Sequence, residues 1–395
     1  MTGKRPTRSV LHVALLLTLA LTTAAVAQRL PTHETRYYML HTDLDVDRAR
    51  AAAIRMTKMA EEYYRRTRDF GGGQPQRKFD FYLFRDREDY YAAGGPPGSA
   101  GVYMRRGDPN ATDPRLGEAK LMAFLIEGRD DATWHVIQHE GFHQFADVAI
   151  GNLPPWVNEG LAEYFGESIF TGDGYVSGVV RQRRLERIRL TLEERRFMNI
   201  EQMMVMTLAQ WNRNLTIENY DQGWAMVHFL AHADDGKYQR PLSQFIARVG
   251  RGEDQASAWR ATFGSTDGMA QALAEFWNTY DVTEADHLRA EATLRTLTSY
   301  LARATLQQKT FDDFAAFHEA LRNDELSNDV QVVGENWLPA DLRERAVANT
   351  DAWLAEGYTF EIISPRQLQM TPPEGDPRVA TYKVKRGLVS EVQVR

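Results

Sequence analysis

His139-Glu140-Gly141-Phe142-His143 is the segment of this chain whose residue types and spacing can do chemistry. Two imidazoles four residues apart on a helix project from one face and can hold one cation, and Glu140 then sits beside that cation without ligating it. A catalytic zinc site takes three protein ligands and keeps one position open. The segment Trp156-Val157-Asn158-Glu159-Gly160-Leu161-Ala162-Glu163-Tyr164-Phe165 offers the third ligand in Glu159. Gly151-Asn152-Leu153-Pro154-Pro155 is a turn short enough to fold this second helix back on the first. Glu163, one turn beyond Glu159, can accept a hydrogen bond from a liganding imidazole. The chain has no cysteine, which removes thiol nucleophiles, Cys-ligated zinc and disulfides together, so any metal must be held by His, Asp or Glu.

The same residues also admit plainer roles. The histidines suit a solvated helix face or hydrogen-bonded core positions, Glu159 suits a first-turn acid favoured by the helix dipole, and Glu163 suits an exposed helical carboxylate. His135 extends the stripe by one turn. Three ligands along almost two and a half turns of one helix do not converge on a tetrahedral ion, so His135 reads as core or as a group behind the ligands. His228 and His232 repeat the four-residue spacing, but no Glu follows His228, and a packed helix face is the reading there. Tyr220 suits either a buried aromatic anchor or a hydroxyl donor.

The elements that must position these residues follow from periodicity. Ala49, Ala53, Met56, Met59, Ala60, Tyr63 and Tyr64 recur at helical spacing over Val46 to Tyr64, and Phe79, Phe81 and Leu83 alternate as in a strand. Apolar runs at Gly101–Met104 and Leu121–Ile126 flank a Gly, Pro, Asn and Asp-rich stretch from Gly107 to Gly117 that suits a long hairpin loop. The helix bearing the histidines is predicted over Thr133 to Val148, with the second beginning near Trp156 and Pro155 well placed at its start. Helical patterns dominate from 180 to about 355, and strands return at Tyr358–Ile363, Val379–Lys385 and Leu388–Val394.

With 395 residues, 43% hydrophobic and 26% charged, the chain can bury a core without a metal or disulfide to help it fold. Its 47 basic against 54 acidic residues, with no long basic run interleaved with aromatics, argue against nucleic acid as a partner. Residues 1–27 join Lys4, Arg5 and Arg8 to an apolar run from Val10 to Leu21 and end in Ala25-Val26-Ala27. That is the pattern of a secretory signal peptide, with an uncleaved anchor as the alternative. Its removal leaves 44 basic against 54 acidic residues, a formal charge of −10. A secreted or periplasmic protein without stable membrane insertion is the expectation.

These motifs resemble those of the gluzincin zinc metallopeptidases, the superfamily of thermolysin and the zinc aminopeptidases, and most of all its peptidase MA-like group. Trp156 to Ala162 fits the aminopeptidase Trp-x-Asn-Glu-Gly-x-Ala motif residue by residue. The resemblance implies Zn²⁺ held by His139, His143 and Glu159, Glu140 as general base, and Glu163 at the position of a carboxylate behind the ligands. Tyr220-Asp221-Gln222-Gly223 is similar to the family's Tyr-x-Lys-Gly segment, which implies Tyr220 as oxyanion donor; it lies 61 residues beyond Glu159. Two departures stand out. Fifteen residues separate His143 from Glu159, fewer than in the aminopeptidases, and Gln222 replaces the family lysine. No Gly-Ala-Met-Glu-Asn segment precedes the helix, so aminopeptidase activity is not implied.

By resemblance the fold is α+β: a zincin-like peptidase domain over 28–285, with a mixed sheet, an active-site helix and a helical subdomain, followed by a C-terminal α+β extension over 286–395. The strand before the active helix, Leu121–Ile126, would line up an extended peptide or protein substrate. The implied reaction is hydrolysis of an amide bond by metal-activated water. A non-catalytic exported binding or assembly protein on the same fold, and a zinc amidase acting on cell-wall peptides, are the alternatives.

Overall fold

The computed structural model describes residues 30–71, 73, 77–106, 118–213, 216–326 and 337–395. The export signal read at 1–27 and the loop from Gly107 to Gly117 lie outside them. The architecture is mixed α+β, with three separate sheets among the described residues. The first sheet has the order β1-β2-β3-β5-β4. Within it β2 (Tyr38–Thr42), β3 (Phe79–Phe84) and β5 (Glu118–Phe124) run parallel, while β1 (Thr32–Glu34) and β4 (Gly101–Arg106) are antiparallel at the edges.

A parallel β2–β3 pair needs a crossover, and α1 (Val46–Thr67) supplies it, capped by Asp45 accepting from the Arg48 N–H at 3.0 Å. Its Ala49, Ala52, Met56, Met59 and Tyr63 are fully buried. Each large apolar side chain so buried contributes about 1.5–3 kcal/mol relative to exposure. Phe81, Leu83, Leu121 and Ala123 belong to the same core as α1, whereas Phe84 and Met122 pack with Tyr90 of the short α2 (Arg87–Ala92) in a separate cluster. The strand alternation thus divides the two faces of the sheet.

The strand before the helix that bears the histidines corrects an expectation. Leu121–Ile126 does not offer its backbone to a substrate, because β5 pairs with β3 on one side and β4 on the other, and both sets of backbone groups are used. On that side the edge of the sheet belongs to β4.

After the sheet come α3 (Asp130–Ala149) and α4 (Pro155–Gly166). Gly151 takes φ +103°, outside what a side-chain-bearing residue readily adopts, and its N–H and that of Ile150 both return to the Ala146 carbonyl. Pro155 opens α4 at the first helical position. The chain then forms a small hairpin of β6 (Ile169–Phe170) and β7 (Tyr175–Val176). The helices α5 (Gln182–Glu193), α6 (Ile200–Val205), α7 (Leu208–Arg213), α8 (Ile217–Gly236), α9 (Gln239–Gly250), α10 (Gln255–Phe263) and α11 (Met269–Thr279) follow.

The boundary expected at residue 285 falls inside α12 (Val282–Leu306). Helices α13 (Phe314–Arg322) and α14 (Ala340–Ala355) follow, then an antiparallel sheet of β8 (Thr359–Ser364), β9 (Gln367–Thr371), β10 (Arg378–Lys385) and β11 (Leu388–Val394) in the order β11-β10-β9-β8. This part is tied to the rest by buried contacts. Arg303 grips Asp173 with both terminal nitrogens at 2.8 and 2.9 Å, Ser299 Oγ donates to the Thr171 carbonyl at 3.0 Å, and buried Arg55 of α1 meets Asp341 of α14. No helix among the described residues is long and apolar enough to cross a membrane.

Candidate metal centre

Because the turn at Gly151–Pro155 reverses the chain, α4 runs antiparallel to α3, and two stripes of four-residue spacing face each other. His135, His139 and His143 look across at Glu167, Glu163 and Glu159, in that order. Gln138 fixes the pairing: its buried amide nitrogen lies 3.0–3.1 Å from the carbonyls of Phe165, Gly166 and Ser168 at the end of α4.

At one end of this ladder three ligand-type atoms converge. His139 Nε2 and His143 Nε2 are 3.1 Å apart, and Glu159 Oε2 is 3.4 Å from the first and 3.5 Å from the second. Nitrogen and oxygen ligands bind zinc at about 2.0–2.1 Å, so three corners of a tetrahedron are spaced by about 3.3 Å. The triangle has that size. Glu159 Oε2 and His143 Nδ1 are buried without a hydrogen-bond partner among the described residues. A buried carboxylate oxygen in that condition is costly unless a cation completes it, so the donor set fits a divalent ion. The three side chains remain 11–14% exposed.

A second triplet, His135, His139 and Glu163, also has ligand atoms within reach of one another. It is already served by a guanidinium: Arg184 Nη2 contacts Glu163 Oε2, and Arg181 Nε contacts Glu167 Oε2. Among the three glutamates Glu159 alone has no arginine partner in the described residues. The positive charge supplied by α5 and the residue before it stops one rung short of the triangle.

The electrostatics follow from these contacts. Burial alone would raise the Glu159 carboxyl, yet the adjoining His143 and His139 hold it down to about 2. Burial would lower His139, but Glu159 and Glu163 outweigh it and push the imidazole well above its ordinary value. Glu163 is likewise held well below the usual carboxylate range, against burial, by His135, His139 and Arg184. The 3.2 Å contact from His139 Nδ1 to Glu163 Oε1 leaves Nε2 as the nitrogen facing the triangle.

Glu140 points toward the sheet, where its Oε2 accepts the Tyr103 N–H of edge strand β4 at 2.8 Å. Asp147 holds the same strand, accepting from the Tyr103 hydroxyl at 2.5 Å and from Arg105 Nη1 at 2.6 Å. Gly101 permits the approach, since a Cβ there would stand 2.5 Å from Val136 Cγ1. Sequence reasoning did not find Tyr103 or Asp147: Asp147 continues the four-residue stripe of α3 one turn past His143 but faces β4, and only the strand order brings Tyr103 to it.

Tyr220, half-buried in the first turn of α8, lies with its ring 6.3 Å from that of His139. Burial and then the charges of Glu159, Glu163 and Glu140 raise its phenol, keeping it protonated as a donor. Gln222, standing where the resembled family has lysine, is committed elsewhere: its amide donates to the Met198 carbonyl at 2.6 Å and accepts the Met198 N–H at 2.9 Å. His228 and His232 sit on a different side of α4, as a packed helix face. His228 Nε2 is 3.1 Å from the Gly178 carbonyl, with Trp224 and Trp277 around it, and His232 Nε2 is 3.0 Å from the Tyr164 hydroxyl. His135 Nε2 lies 3.6 Å from Glu163 Oε2, behind the triangle.

Comparison with known proteins adds one family. Residues 133–250 match a family described as a protein of unknown function, DUF1570. The match begins within α3 and ends with α9, so it takes in His139, Glu140, His143, Glu159, Glu163 and Tyr220. No curated protein matches the chain.

Proposed function

We propose that this chain is an exported, zinc-dependent peptidase with a zincin-like architecture, in which His139, His143 and Glu159 hold the metal and Glu140 is the general base. One observation carries the reading: the triangle of His139 Nε2, His143 Nε2 and Glu159 Oε2, with 3.1–3.5 Å sides, has a buried oxygen left without a hydrogen-bond partner among the described residues. Zn²⁺, when bound, supplies a Lewis acid for the scissile carbonyl and for the attacking water.

The chain's own groups do the rest. Glu163 fixes the His139 tautomer through Nδ1. Glu140 takes the proton of the attacking water and returns it to the leaving amine, its second oxygen held by the Tyr103 N–H. Tyr220, kept protonated, donates to the oxyanion. The substrate backbone lies along the free edge of β4, where Gly101, Tyr103 and Arg105 turn their peptide groups away from β5; the alternation of an antiparallel strand requires this once Tyr103 N–H points at Glu140.

The test measures zinc stoichiometry and casein turnover for wild type, His139→Ala and Glu140→Gln. Wild type should bind one zinc and cleave casein, and His139→Ala should lose both. Glu140→Gln should keep zinc and lose on the order of 10²–10⁴ in turnover. Wild type that fails to take up zinc rejects the site, and undiminished turnover by Glu140→Gln rejects the base.

A further inference from the structure

Beyond the ligands, a buried network joins the two helices that carry the chemistry. Arg184 of α5 reaches Glu163 Oε2 with Nη2 and lies 3.2 Å from Asp221 Oδ1 with Nε, an ion pair without an aligned hydrogen bond. Glu163 is the residue behind His139, and Asp221 is the neighbour of Tyr220 in α8. All three of these charged side chains are at least nine-tenths buried. The Trp224 ring lies 5.0 Å below the guanidinium carbon and fixes its plane.

We infer that Arg184 is a positioning residue for the metal centre, gripping one carboxylate from α4 and one from α8 so that His139 and Tyr220 keep a fixed relation. The inference rests on the zinc-peptidase reading above. A guanidinium suits the task because its charge is spread over a plane wide enough to face both carboxylates at once, which a point charge cannot do.

The two carboxylates depend on Arg184 unequally. Asp221 has a second guanidinium, Arg187, at 2.7 and 2.8 Å. Glu163 has no second guanidinium among the described residues, and its Oε2 otherwise faces only His135 at 3.6 Å. Losing Arg184 therefore releases Glu163 first, and with it the support of a metal ligand. Severing the Asp221 side alone should leave the ligands in place and disturb Tyr220.

Full-length wild type, Arg184→Met and Asp221→Asn are compared by zinc competition against a chromophoric chelator, by the absorption spectrum of the Co²⁺-loaded protein, by circular dichroism and by casein turnover. Arg184→Met should weaken zinc binding about 10- to 100-fold, the range for removing support behind a ligand, and alter the Co²⁺ bands. Asp221→Asn should hold zinc within about 3-fold of wild type, while kcat falls at least about 10-fold at nearly unchanged KM, as an interaction made in the transition state requires.

A folded Arg184→Met with wild-type zinc affinity overturns the inference, as does Asp221→Asn with wild-type kcat. Should Arg184→Met fail to fold, Asp221→Asn decides. Wild type that binds zinc without cleaving casein removes the peptidase reading alone, and the zinc affinity of Arg184→Met then decides. Wild type that binds no zinc removes both.

Discussion

Gly160 follows Glu159 and Gly223 lies three residues after Tyr220, and they meet where α4 crosses α8. A Cβ added at Gly160 would stand 2.4 Å from the Gly223 carbonyl oxygen and 2.7 Å from its carbon, where ordinary contact begins at 3.4 Å. The opposing atoms are backbone, so no rotamer change relieves the clash, and Gly160→Ala must part the helices by about 1 Å. Overpacking of this kind costs about 1–3 kcal/mol, to be read as a lower urea midpoint at unchanged slope. The ligands lie on α3 and α4, whereas Tyr220 lies on α8, so zinc should stay bound while Tyr220 shifts. Displacing a catalytic group by 1 Å can cost on the order of 100-fold in rate, and casein turnover should fall by about that much. Gly223→Ala supplies an internal scale: its Cβ would meet the Trp156 carbonyl oxygen at 3.0 Å, a milder clash, so it should lose less on both measures. A Gly160→Ala protein as stable and as active as wild type, or a Gly223→Ala protein worse than it, would refute the close-approach argument.

Two further expectations concern parts outside the triangle of His139, His143 and Glu159. His232 is pushed down to about 4 by burial and by Arg66, so on acidification the unfolded chain takes up this proton below about pH 6.5 while the folded one refuses it until about 4. The stabilisation is therefore complete above pH 6.5 and lost as pH falls to 4, by about 3 kcal/mol. Urea titrations at stepped pH should show a shallower fall for His232→Gln than for wild type, and equal slopes would contradict it. Truncation after residue 285 cuts α12 and removes the buried Arg303 partner of Asp173. The shortened chain should be insoluble or lack a cooperative melt, and a truncated protein that melts like wild type would show the C-terminal part to be a separate unit.

Much of the scaffold was legible because it is local. The apolar spacing of Val46 to Tyr64 places α1, which extends three residues further, and Phe79–Phe84 matches β3 residue for residue. The short elements β1, β2, α2, β6, β7 and β9 escaped: a strand of two to five residues has too few alternations to register, and its hydrogen bonds come from partners distant in sequence. For the site, four-residue spacing sufficed to align His139 with His143, and a Pro-Pro turn sufficed to bring α4 back.

Strand order was beyond any such reading, which is why the edge expected at Leu121–Ile126 belongs to β4 instead. Residue types and intervals along the chain determined which atoms could ligate and on which helix face they lie, since a helix converts spacing into direction. Only tertiary packing decided that Arg181 and Arg184 satisfy Glu167 and Glu163 but leave Glu159 to the imidazoles, and that Tyr103 reaches Glu140. Contacts between elements far apart in sequence depend on how the faces of several elements pack at once, and no interval within one of them encodes that.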